Sequence, residues 1–168
     1  MYKIRVILDT KEDIIRTILV DDYLNLETLH FTIAKAFDFD GSEMASFYRT
    51  DDEWNEGEEI PLFNMSEAGD GIFMKNCFIR NTIPTPGDKL IYVYDFLKMW
   101  TFYVEVIEVT VENQDNLPKT ILSVGQIPTE APEKEFIAEQ SNHDFEDNYG
   151  SDFNNDFESL DDIDFDQY

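Results

Sequence analysis

The chain holds 168 residues, with 37 acidic against 12 basic side chains and a formal net charge of −25. That balance argues against direct nucleic-acid binding, which needs Lys and Arg to displace counterions from phosphates. A 42% apolar and 14% aromatic share excludes wholesale disorder. One cysteine, Cys77, rules out an internal disulfide or multi-cysteine zinc site, and two histidines, His30 and His143, make a His-rich metal centre implausible. No metal and no cofactor is therefore expected.

Tyr2, Ile4, Val6 and Leu8 alternate with Lys3 and Arg5, the period-two signature of a half-buried strand. A polar turn, residues 9–13, leads into a second β-branched run from Ile14 to Val20, which predicts an N-terminal hairpin. The period then changes. Leu26, Leu29, Ile33 and Phe37 fall at helical spacing, Asn25 is a suitable N-cap, and the helix should end before Gly41. His30 sits one residue off this stripe and reads as a boundary residue bonded to backbone. A strand is expected at Ala45–Thr50, then an exposed acidic loop over 51–59.

Residues 60–86 are poorly periodic, with a short strand expected at Asn76–Ile79. In that segment Cys77 has apolar neighbours, which favour an inert thiol. Stronger strands follow at Leu90–Phe96 and Trp100–Val111, separated by only three residues, as a tight hairpin requires. Lys119–Val124 offers one more. The order predicts an α+β fold: a mostly antiparallel sheet with an N-terminal hairpin, one main helix and a C-terminal hairpin or meander.

The remaining residues read differently. Fourteen of the 37 acids but only one base, Lys134, fall within 130–168. Pro128 and Pro132 mark the change, so a body is expected over 1–132 and an acidic, disordered tail over 133–168. Asp152, Asn154 and Asp156, and again Asp162, Asp164 and Asp166, copy the first ligands of a calcium loop. The required Gly at position six is Phe157 or Gln167, so such a loop is rejected. Phe145, Tyr149, Phe153, Phe157 and Leu160 recur at helix-like spacing and are candidate anchors for a protein partner's groove.

Within the body, Asp95 stands between aromatics at a strand end. It is either a carboxylate able to act as acid or base, or a turn-forming Asp bonding nearby amides; the second is preferred. Tyr92, Tyr94, Trp100, Phe102 and Tyr103 form an aromatic cluster on one hairpin, which sheet stabilisation explains without a ligand. Tyr94, Asp95 and Trp100 are the residues to watch for a pocket. Phosphate-loop, Rossmann, nucleophile-elbow and zinc-protease signatures are missing from the sequence.

Arg16, Val20, Leu26, Leu29, His30, Ile33, Ala36, Phe37 and Phe47 follow a pattern of an arginine strand, a "TLxxLHxxIxxAF" helix and a following aromatic. Tyr92-Val93-Tyr94-Asp95-Phe96 with Trp100 is similar to "YxYDFGDxWxH". Together these segments resemble the plasmid ORF-three-like family, named after the third open reading frame of a root-inducing plasmid, across most of residues 1–110. The resemblance implies the α+β body but no particular activity. The chain departs from the pattern at Leu97-Lys98, where Gly-Asp is usual, and at Phe102, where His is usual. Phe39 replaces a tryptophan and Glu43 a histidine; a polar or metal site built on those positions would be largely lost here.

Three readings follow. The first is a non-enzymatic cytoplasmic module that binds another protein, its oligomeric state left open. The second is an enzyme or small-molecule-binding domain with a site near Asp95. The third is an acidic mimic of nucleic-acid charge. No secretory signal pattern is visible, and no run reaches the 18 apolar residues of a membrane-spanning helix.

Overall fold

Alternation shapes the first strand. In β1 (Tyr2–Leu8) the side chains of Tyr2, Ile4, Val6 and Leu8 are buried on one face, because successive residues of a strand point to opposite sides. A computed structural model describes residues 1–133 other than Asn113; the tail candidates Phe145, Tyr149, Phe153, Phe157 and Leu160 lie outside the described residues.

The N-terminal hairpin forms as expected: β2 (Ile15–Val20) runs antiparallel to β1, with Ile4 opposite Ile18. Helix α1 (Leu26–Ala36) starts on Asn25, whose side-chain oxygen accepts the Thr28 amide at 2.9 Å. Five further strands follow, namely β3 (Ala45–Thr50), β4 (Glu56–Pro61), β5 (Lys89–Tyr94), β6 (Trp100–Val109) and β7 (Lys119–Val124). They join one seven-stranded sheet in the order β4-β3-β5-β6-β1-β2-β7, and every pairing is antiparallel. β7 does not continue a meander from β6. Both edges of β6 are taken, by β5 and β1, so β7 crosses to the free edge of β2.

Helix α1 covers one sheet face. Leu26, Leu29, Ile33 and Phe37 share a core with Ile4, Val6, Tyr92 and Phe102, and the Phe37 and Phe102 rings meet edge to face at 4.7 Å. Each such large apolar side chain stabilises by about 1.5–3 kcal/mol on burial. The opposite face carries cross-strand ion pairs, Lys3 to Glu108 at 2.9 Å and Arg5 to Glu105 at 2.6 Å. Among the described residues no helix is long and apolar enough to cross a membrane.

Several expectations need correction. The acidic stretch is a loop only as far as Asn55, since Glu56–Glu59 belong to β4. Among the described residues this edge strand pairs only with β3, so its glutamates remain in water and Ile60 alone is buried. Residues 76–79 form no strand. A single 3₁₀ turn occupies Met74–Asn76 and a short helix, α2, occupies Ile79–Thr82, with an isolated bridge between Asn25 and Phe78. Tyr103 leaves the aromatic cluster: period two places it on the outer face, where it packs against Trp54 at 4.9 Å.

Candidate functional site

The exit of α1 determines one wall of the site. Asp38 adopts φ 61°, the Phe39 amide donates to the Ala34 carbonyl at 2.8 Å, and the Asp38 amide donates to Lys35 at 3.2 Å. These two bonds form a Schellman cap, with Asp38 in the position usually held by glycine. The cap turns the chain so that half-buried Phe39 lies over the sheet. Its ring stacks on Tyr94 at 5.0 Å and contacts Trp100 at 4.9 Å.

Tyr94 and Trp100 face each other across the β5–β6 hairpin. Tyr94 donates its hydroxyl to Asp40 at 3.1 Å and accepts the Glu43 amide at 3.4 Å. Burial raises the Tyr94 phenol above its ordinary pKa. Asp40 also accepts the amide and hydroxyl of Ser42, at 2.9 and 2.8 Å. The Ser42 amide, the Ser42 hydroxyl and the Tyr94 hydroxyl hold the exposed Asp40 carboxyl below its usual range, so it is anionic at neutral pH.

Asp95 begins the turn joining these strands. Its backbone sits at φ 60°, its amide donates to Met44 at 2.8 Å, and its carboxylate accepts the amides of Leu97 and Lys98 at 3.1 and 3.3 Å. The carboxylate is engaged in holding its own turn, a bonding pattern characteristic of Asp in loops.

Arg16 forms the other end. It is buried on β2, and its guanidinium donates to the carbonyls of Ala36, Ile15, Val124 and Gly125 at 3.0, 2.9, 2.7 and 3.2 Å. It therefore ties the end of α1 to β2 and to the exit of β7, and it also lies 5.2 Å from the centre of the Phe37 ring.

These walls enclose an open cleft of about 760 Å³. Tyr94, Asp95 and Trp100, marked together in the sequence, all line it, with Phe39, Asp40 and Glu43 from the helix exit. Lys98 and residues 125–129 complete the wall. Local spacing does not group Arg16 and Asp40 with the aromatics, because four segments distant in sequence contribute the walls, and Phe39 and Glu43 are marked only as departures from the family pattern. The available signal was the Asp-Phe-Asp-Gly run closing the helix. Phe39, Glu43 and Lys98, where the chain departs from the pattern it resembles, all face this one cleft.

His30 stands apart from the cleft lining. It is fully buried rather than at a boundary, and its Nδ1 lies 2.6 Å from the Tyr92 hydroxyl. Cys77 is half-buried with its thiol pKa raised by desolvation. Among the described residues no group of three His, Cys, Asp or Glu side chains could hold a metal ion.

A family model described as plasmid pRiA4b ORF-3-like protein matches residues 1–159. The fold is similar to the crystal structure of a protein of unknown function from Methanosarcina mazei Go1. The two are 16% identical with a TM-score of 0.59, over 73% of this chain and 67% of the other. None of the curated proteins matches the chain.

Proposed function

The chain belongs to the plasmid pRiA4b ORF-3-like family, and on that premise we propose that it is a non-catalytic protein-binding module that takes a basic side chain of its partner into the cleft. One observation carries the reading: the Phe39, Tyr94 and Trp100 rings pack together, with Asp40 and Glu43 beside them. A cation over an aromatic face gains about 0.5–2 kcal/mol as it loses water, and a neighbouring carboxylate adds to that attraction. The net charge of −25 draws basic partners from a distance. The bonds of Asp95 to its own turn favour binding over acid–base chemistry at this carboxylate. A cytoplasmic setting, with Cys77 reduced, accords with the reading.

The test uses Trp100 fluorescence in a Trp54→Phe protein, which retains one of the two tryptophans. Acetyl-Ala-Lys-Phe-amide should bind at least tenfold more tightly than the same peptide with norleucine for lysine. Glu43→Gln should narrow the difference. Equal binding of the two peptides would remove the basis of the proposal.

A further inference from the structure

We propose that the Arg16 end of the cleft is a carboxylate subsite, so that the partner enters by its C-terminal residue with a basic side chain close behind. The inference rests on the binding reading above and specifies which part of a basic partner is recognised.

Arg16 is 6% exposed, yet it lines the cleft. A guanidinium has five N–H donors. Four are directed at the carbonyls of Ala36, Ile15, Val124 and Gly125. All four partners are neutral, and none of the ion pairs among the described residues includes Arg16. Among the described residues one N–H on Nη2 is thus unspent, and the buried charge has no counter-ion within ion-pair distance. Taking a charge out of water is costly unless an opposite charge meets it. The one remaining N–H can donate a charge-assisted hydrogen bond to a single carboxylate oxygen. Lys98, on the same cleft, adds a second cation.

The acids of the site restrict what can bind. Asp38, Asp40 and Glu43 line the same cleft and would repel a simple anion. A carboxylate enters favourably only on a molecule that brings its own cation. Arg16 on β2 and Tyr94 on β5 are separated by β1 and β6, three strand spacings or about 14 Å between backbones. Both side chains extend from the covered face. Two to three extended residues span about 7–11 Å, within that backbone separation. A peptide terminus with lysine next to its last residue meets that requirement.

Arg16 also caps the end of α1, and a ligand would not alter that role, so the test varies the peptide first. Acetyl-Ala-Lys-Phe with a free carboxylate is compared with its C-terminal amide on the Trp54→Phe protein. The acid form should bind at least tenfold more tightly, although the amide carries more positive charge toward an acidic protein. Arg16→Gln should bring the two within twofold; if that variant does not fold, the acid–amide comparison decides alone. Equal affinities overturn the carboxylate subsite while leaving the binding module intact. Failure of both forms to bind overturns both proposals. Free lysine binding as tightly as the acid peptide would overturn the peptide terminus as the source of the carboxylate.

Discussion

The Tyr92 hydroxyl and His30 Nδ1 meet at 2.6 Å inside the core, where neither side chain reaches water. The pair joins α1 to the centre of the sheet and leaves Nε2 of His30 without a hydrogen-bond partner in good geometry among the described residues. Burial pushes the imidazole down to about 4, with the Gly41 backbone offsetting part of the effect. The folded protein therefore favours neutral histidine, whereas the unfolded chain protonates near 6.5. Stability contributed by this difference is complete above pH 6.5 and is lost as the pH falls toward 4. A difference of 2.5 pKa units corresponds to about 3 kcal/mol. Urea unfolding at pH 7, 5 and 4 should show this fall in the wild type and a much flatter profile in His30→Met. Parallel profiles would mean that the histidine does not control the acid response.

Asp95 makes a different prediction, because its backbone and side chain have separate tasks. At φ 60° the residue sits in the left-handed region, which Asn tolerates and Ala does not. Asp95→Asn keeps an acceptor for the Leu97 and Lys98 amides and should cost under about 1 kcal/mol. Asp95→Ala loses those bonds and strains the backbone, for a combined cost of about 2–3 kcal/mol. Thermal or chemical unfolding of the two variants measures the gap. Equal losses would show that the carboxylate's charge, rather than its turn geometry, matters.

How much was legible in the sequence depended on whether a pattern was local. The β1–β2 hairpin and α1 could be read because their burial follows period two and period 3.6. β4 was hidden because an edge strand with one buried residue, Ile60, has no alternation to display. Residues 76–79 misled because a short apolar run fits either a strand or a helix. His30 carried a usable signal, since it lies four residues after Leu26 and three before Ile33, within a broad apolar face. Tyr94, Asp95 and Trp100 could be grouped because one hairpin brings them together. Joining them to Arg16 required the sheet order, which places β2 and β7 beside the helix exit.

Gly125 tests that distant wall. It adopts φ 75°, and a Cβ there would collide with the Asp13 carbonyl and crowd the Ile14 side chain. Neither the backbone of the β1–β2 turn nor a left-handed alanine gives way cheaply. Gly125→Ala should therefore cost at least about 2 kcal/mol and displace the carbonyl that Arg16 holds. Denaturant unfolding measures the loss. A variant as stable as the wild type would show that the β7 exit has freedom to shift.

Phe39 and Trp100 touch each other, yet substituting them should separate folding from binding. Trp100 is 4% exposed and shares the core with Tyr94 and Phe102, so Trp100→Ala should cost about 3–5 kcal/mol. Phe39 is only half-buried and belongs to the cap rather than the core cluster. Its replacement by Ala removes less buried area and should cost about 2 kcal/mol. The cleft, however, loses the ring that bridges Tyr94 and Trp100. Calorimetric unfolding combined with titration of acetyl-Ala-Lys-Phe should find Phe39→Ala folded at 25 °C but at least tenfold weaker in binding. A folded Phe39→Ala that binds the peptide as tightly as wild type would show that the stacked ring contributes packing alone.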